Sequence, residues 1–135
     1  MGLDNGIVVK SRDAKNFQIK FPSFIKTMSW SDLTNATAEV AYWRKTWGIR
    51  DRILDILGGE NKTGDYEITQ PQLLKIIEML KKFLHEEYWI KNARSIWEYD
   101  EMIENQVQIL VNLYWLSDYM GKEGKNITVT FYDSY

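Results

Sequence analysis

Apolar and polar positions alternate strictly in two separate places along the chain. In "FQIKF", Phe17, Ile19 and Phe21 fall on one side and Gln18 and Lys20 on the other. In "NITVTFYD", Ile127, Val129 and Phe131 oppose Thr128, Thr130 and Tyr132. A period of two is that of a half-buried strand. The β-rich run "GIVVKS" precedes the first of these, and the polar "RDAKN" between them predicts a hairpin. Three strands, each with one apolar face, need a common cover. An antiparallel sheet packed on helices, with its first and last segments meeting, satisfies that need.

Between the strands the period lengthens to that of helices. A first helix starts near Asn35, a good N-cap, and ends at Gly58–Gly59. A second starts at Thr69 with Pro71 in its first turn. Its stripe is Leu73, Ile76, Ile77, Leu80, Phe83 and Leu84, and Glu78–Lys82 is a favourable i,i+4 pair. A third starts at "SIWE", where Ser95 and Glu98 form a capping box, and runs to Gly121, about 39 Å. Its arc is wide: Tyr99, Ile103, Val107, Leu110 and Tyr114 flank Met102, Ile109, Leu113, Leu116 and Met120. A helix with so broad an apolar arc touches something on two sides. The expected architecture is one α+β domain over residues 1–135: a three-stranded antiparallel sheet, two N-terminal strands plus the C-terminal one, on three α-helices.

The first helix raises the sharpest question. On a wheel of about 100° per residue, Arg44, Lys45, Asp51, Arg52 and Asp55 form a solvent sector. Ala36, Val40, Trp43, Trp47 and Leu54 form one apolar edge, and Tyr42, Ile49, Ile53 and Ile56 a second. Two apolar edges place this helix at the centre, between the sheet and the other helices. A glycine inside it, Gly48, implies close approach by a strand or a ring, since mid-helix glycine costs about 1 kcal/mol. Glu39 and Arg50 fall between the two edges. They stand eleven residues apart, too far to meet, so each needs its own partner. The terminal strands are expected to supply these partners, with Asp4 holding Arg50.

Composition narrows the chemistry. The 135 residues include no cysteine and one histidine, His85, so thiol chemistry and a multi-histidine metal site within the chain are excluded. His85 lies off the apolar stripe of its helix and is expected at the surface. No membrane-length apolar run and no basic-then-apolar leader is present, which reads as a cytoplasmic protein. Charge is uneven. Residues 1–50 hold eight basic and four acidic residues, net +4, and the rest nine and fifteen, net −6. No phosphate-binding glycine loop occurs. Two functions besides simple binding can be framed. Glu98, Asp100, Glu101 and Glu104 could hold Mg²⁺ or Mn²⁺ for hydrolysis, although acids in a first turn also complement the helix dipole. "YWRKTWGIRDR" interleaves basic and aromatic residues, a weak nucleic-acid signal.

Aromatic residues make up 14% of the chain, with six Trp and eight Tyr, more than one small core absorbs. Trp115 and Tyr119, four apart at the border of the third helix's arc, are expected at an interface.

The opening "MGLD", the helix "EVAYWRK" and the closing "TFYDSY" together resemble a family of small uncharacterised proteins of phages and prophage regions. Its members carry Met-Gly-Leu-Asp, a central Glu-x-x-Tyr-Trp-Arg-Lys and a short terminal aromatic strand. The family's helix continues Ala-Asn-x-Ile-His. Here Ile49 matches, and Arg50 stands in place of the histidine, which weakens any pH-dependent or metal role. The resemblance covers about a third of the chain. It implies a phage-like setting and no mechanism. The expected function is that of a non-catalytic accessory protein without cofactor. It would bind a host or phage protein, or itself as a homodimer, through Glu39, Arg50, Asp4, Tyr42, Arg44, Trp115 and Tyr119.

Overall fold

A computed structural model of the chain describes residues 4–12, 27–30, 36–59, 64–123 and 127–134. In chain order the elements are β1 (Asp4–Ser11), β2 (Thr27–Trp30), β3 (Ala36–Arg44), α1 (Trp47–Leu57), β4 (Gly64–Glu67), α2 (Gln70–Phe83), α3 (Tyr88–Asn92), α4 (Ile96–Glu123) and β5 (Ile127–Ser134). The α+β class is as expected, but the sheet is larger. Among the described residues it has five antiparallel strands in the order β2-β3-β1-β5-β4. The first and last segments do meet: β1 pairs with β5 along its whole length. The other edge of β1 is taken by β3. The hairpin expected between "GIVVKS" and "FQIKF" falls on residues 13–26, which lie outside the described residues.

The largest correction concerns the first helix. Only its second half, Trp47–Leu57, is helical; Ala36–Arg44 is strand β3. The cause is a bulge. Ile7 faces Ala41 while Val8 faces Glu39, so Val40 is an extra residue on β3. It shifts the phase of the alternation. Ala38, Val40, Ala41 and Trp43 are all buried while Tyr42 and Arg44 are exposed. A strand that changes phase in its middle puts apolar residues at 36, 40 and 43, and with Trp47 at the start of α1 the spacing imitates a helical stripe. Lys45, at φ 56°, turns the chain out of the strand. Thr46 then begins α1, its hydroxyl donating to the Arg44 carbonyl at 3.1 Å.

Helix ends follow their sequence signals more closely. Gly58 closes α1 in the left-handed conformation at φ 68°, and the Gly59 amide donates to the Leu54 carbonyl at 2.9 Å. Thr69 and Gln72 form a reciprocal capping box at the start of α2. At α4 half of the expected box forms. The Glu98 amide donates to Ser95 Oγ at 3.1 Å, while the Glu98 carboxylate is taken by Arg94. α4 runs two residues past Gly121, and Glu78 pairs with Lys81 instead of Lys82.

The core lies between one sheet face and the helices. Ile7, Val9, Val129 and Phe131 come from the sheet; Ile49 and Ile53 from α1; Leu73, Ile76, Ile77 and Leu80 from α2; Leu113 and Leu116 from α4. The ring implied by Gly48 is that of Phe83: a Cβ there would stand 3.3 Å from its edge.

Candidate functional site

The three sequence-distant motifs become three neighbouring strands. Asp4 opens β1, Glu39 and Tyr42 lie on β3, and Tyr132 and Asp133 lie on β5. Because side chains alternate across a sheet, the junction β3-β1-β5 carries a different cluster on each face.

On the face away from the helices, Gly6 of β1 stands opposite both Tyr42 and Tyr132. The Tyr132 hydroxyl donates to Glu39 Oε2 at 2.8 Å, and the Tyr42 hydroxyl donates to Asp4 Oδ1 at 2.7 Å. Arg44 is the cross-strand neighbour of Asp4. Two phenols and two carboxylates thus share one patch. Burial, and then the hydrogen bond to Glu39, pushes the Tyr132 phenol above its ordinary 10.0. The bond to Asp4 raises that of Tyr42. Each bond holds the neutral phenol, so its stabilisation is complete below pH 10 and is lost as pH rises through the folded-state value. Absorbance titration of tyrosinate should show a late-ionising phenol that disappears in Tyr132→Phe; loss of an ordinary phenol instead would contradict this.

On the helix-covered face lies Arg50, 1% exposed. Its Nε and Nη2 donate to Asp133 at 2.8–3.0 Å, and the Asn5 amide donates to the same carboxylate at 2.6 Å. Nη1 reaches outward to Asp51 at 3.0 Å. Arg50 is buried and held by a terminal strand, as expected, but its partner is Asp133 and not Asp4. Glu39, expected to be buried, is half-buried and lies across the sheet from Arg50, since β3 is a strand there. Asp133, Asn5 and Tyr132 were not singled out from the sequence. The signal was present in the alternation of "TFYDSY", which sends Asp133 inward with Phe131, where a buried carboxylate demands a cation.

Glu39, Tyr42 and Arg44 also border a groove of about 480 Å³ between β3 and α4. Its α4 wall is rich in amides. Gln106 accepts from the Trp43 indole at 3.0 Å, and Asn112 donates to the Val40 carbonyl at 3.0 Å. Asn105 is exposed at its lip. Beside the groove, β3 pairs with β2 only through Ala36–Glu39. Along Val40–Arg44 no strand lies on that side among the described residues.

Trp115 and Tyr119 are not part of this constellation. Their rings stack at 5.0 Å, and Tyr119 is buried while Trp115 packs half-buried against the core, so they close the core's edge and do not present a free aromatic face. The alternative chemistries find little geometry. Among the described residues no three acidic or histidine side chains gather as a metal site, and Glu98 is paired with Arg94. The basic stretch is divided between β3 and α1, with Arg50 paired inward and Arg52 held by Glu86 at 2.9 Å. His85 is exposed. No described helix is long and apolar enough to cross a membrane.

No protein-family model, curated protein or solved structure matches this chain.

Proposed function

We propose that the protein acts by binding another polypeptide, without catalysis, in the groove between β3 and α4. The observation that carries this reading is the meeting of an amide-lined groove with a length of strand edge. Asn112 and Thr46 hold the Val40 and Arg44 carbonyls, and the main-chain groups between them on β3 can offer hydrogen bonds, while the exposed amide of Asn105 on α4 can serve the opposite side of an extended segment. Tyr42, exposed at the groove's border, supplies apolar contact of the kind most binding sites need. The Tyr–carboxylate patch borders the groove and fixes the orientation of Glu39 and Tyr42. The phage-like motifs support a role as an accessory protein whose partner is a host or phage protein.

Filling the groove tests the reading. Asn105 is exposed, so Asn105→Trp should fold normally while occupying the lip. Immobilised wild-type protein should retain a polypeptide from phage-infected cell extract that the variant retains at least about tenfold less, a loss of roughly 1.4 kcal/mol in binding. Equal retention by both proteins would sink the groove as the site.

A further inference from the structure

The hydrogen bonds of the sheet determine which main-chain groups of β3 face the groove. The Ile68 amide donates to the Val129 carbonyl at 2.8 Å, so that carbonyl points across β5 to its β4 side, away from β1. Successive residues of a strand turn their main-chain groups to alternate edges. Phe131 therefore turns away from β1 like Val129, and Thr130 and Tyr132 turn toward it. Their partners Val8 and Gly6 bond β5. Asn5 and Ile7 are left to bond β3, where they face Trp43 and Ala41. Tyr42 and Arg44 alternate with those two, so their amides and carbonyls turn to the other edge of β3. β2 occupies that edge only along Ala36–Glu39.

Two carbonyls beside the groove are already held. Asn112 of α4 donates to that of Val40 at 3.0 Å, and the Thr46 hydroxyl donates to that of Arg44 at 3.1 Å. Between them the Tyr42 amide, the Tyr42 carbonyl and the Arg44 amide have no partner among the described residues. The Tyr42 hydroxyl is bound to Asp4 of β1 at 2.7 Å, which draws the ring toward β1 and away from this edge.

Taking the β3–α4 groove as the binding site, we infer that its partner is an extended segment that joins the sheet as a further strand, its main chain paired with Tyr42. A strand edge is matched by another extended main chain, which presents donors and acceptors at the same spacing. A helix has already joined its own internally. The edge offers two donors and one acceptor, so the segment answers with two carbonyls and a single amide. That single amide sets a sequence rule. Proline, or any N-alkylated residue, is excluded where the segment meets the Tyr42 carbonyl. It is tolerated two residues to either side, where the β3 carbonyls are held by Asn112 and Thr46.

Amide hydrogen exchange of the full chain tests the edge and its occupant separately. In the free chain the Tyr42 and Arg44 amides should exchange at least about 100-fold faster than the Trp43 amide, which is bonded to β1. The probes are short peptides selected from a displayed random library on the immobilised chain. At saturation they should slow the Tyr42 amide by about tenfold or more and leave Trp43 unchanged. N-methylation of a selected peptide should weaken binding by about tenfold or more at one position, and much less two residues away. A Tyr42 amide already protected in the free chain would overturn the inference, because the edge would be filled. Peptides that Asn105→Trp no longer binds, but that leave the Tyr42 amide exchanging freely, would overturn strand addition and keep the groove. Peptides bound equally by Asn105→Trp, or no peptide at all, would overturn the groove reading and the inference with it.

Discussion

Arg50→Ala is expected to destabilise the fold by about 3–5 kcal/mol, the range for removing one partner of a buried ion pair. Arg50 is 1% exposed and Asp133 has no side-chain exposure. Two guanidinium nitrogens contact the Asp133 carboxylate, and the shortest of these contacts is 2.8 Å. Without Arg50 the carboxylate keeps the Asn5 amide at 2.6 Å as its described donor and remains out of water. Asp133 joins β5 to β1 through that amide and to α1 through Arg50, so the lost pair loosens the sheet from the helix it carries. Urea denaturation of the single variant measures the cost. A loss below about 1 kcal/mol, typical of solvated pairs, would mean that Arg50 is not the clamp described. Asp4→Ala is the control. Among the described residues Asp4 accepts a hydrogen bond from the exposed Tyr42, and its removal should fall in that smaller range.

The contrast between Arg50 and Asp4 shows what the linear pattern conveys. Burial of Arg50 was legible because it lies between Ile49 and Ile53 on a helix whose second half does form. Its partner was not, because choosing between Asp4 and Asp133 requires knowing which strand residues face the helices. Both lie in strands that were foreseen. Alternation from Ile7 sends Asn5 inward and Asp4 outward, and alternation from Phe131 sends Asp133 inward; the apolar positions alone were counted.

The helical reading of Ala36–Arg44 failed for a different reason. A bulge is a long-range feature, set by how β3 registers against β1, and nothing local marks Val40 as the extra residue. Alanine-rich content also favours the helix in isolation, whereas pairing with β1 on one side decides for the strand. The two additional strands, β2 and β4, are each four residues long. Segments so short carry little periodic signal of their own and depend on the neighbours that receive them. By contrast, the caps of α2 and the closing glycines of α1 are local chemistry, and they stand where the residues placed them. The outer phenol–carboxylate patch was half legible. Asp4, Glu39 and Tyr42 were named from the motifs, but Tyr132 joins them only when β1 and β5 pair.

That pairing makes the response of Gly6 to substitution decisive in sign. In an ordinary strand, replacing glycine by alanine gains stability, because alanine has less conformational freedom to lose. At Gly6 the opposite is expected. A Cβ built there would stand 2.5 Å from Cε1 of the Tyr132 ring. The ring cannot simply swing aside, since its hydroxyl is bound to Glu39 at 2.8 Å. The backbone cannot yield either, because β1 is paired on both edges along Asp4–Ser11. Gly6→Ala should therefore destabilise by about 1–3 kcal/mol, as overpacking does. Tyr132→Thr keeps a strand-forming residue and removes the ring, at the loss of the Glu39 bond. In the double variant the clash is gone, so its stability should lie above the sum of the two single effects by about 1 kcal/mol or more. Urea denaturation of the four proteins closes the cycle. Additive effects, or a Gly6→Ala variant more stable than the wild type, would mean that Tyr132 does not lie over Gly6, and the patch joining Asp4, Glu39, Tyr42 and Tyr132 would lose its centre.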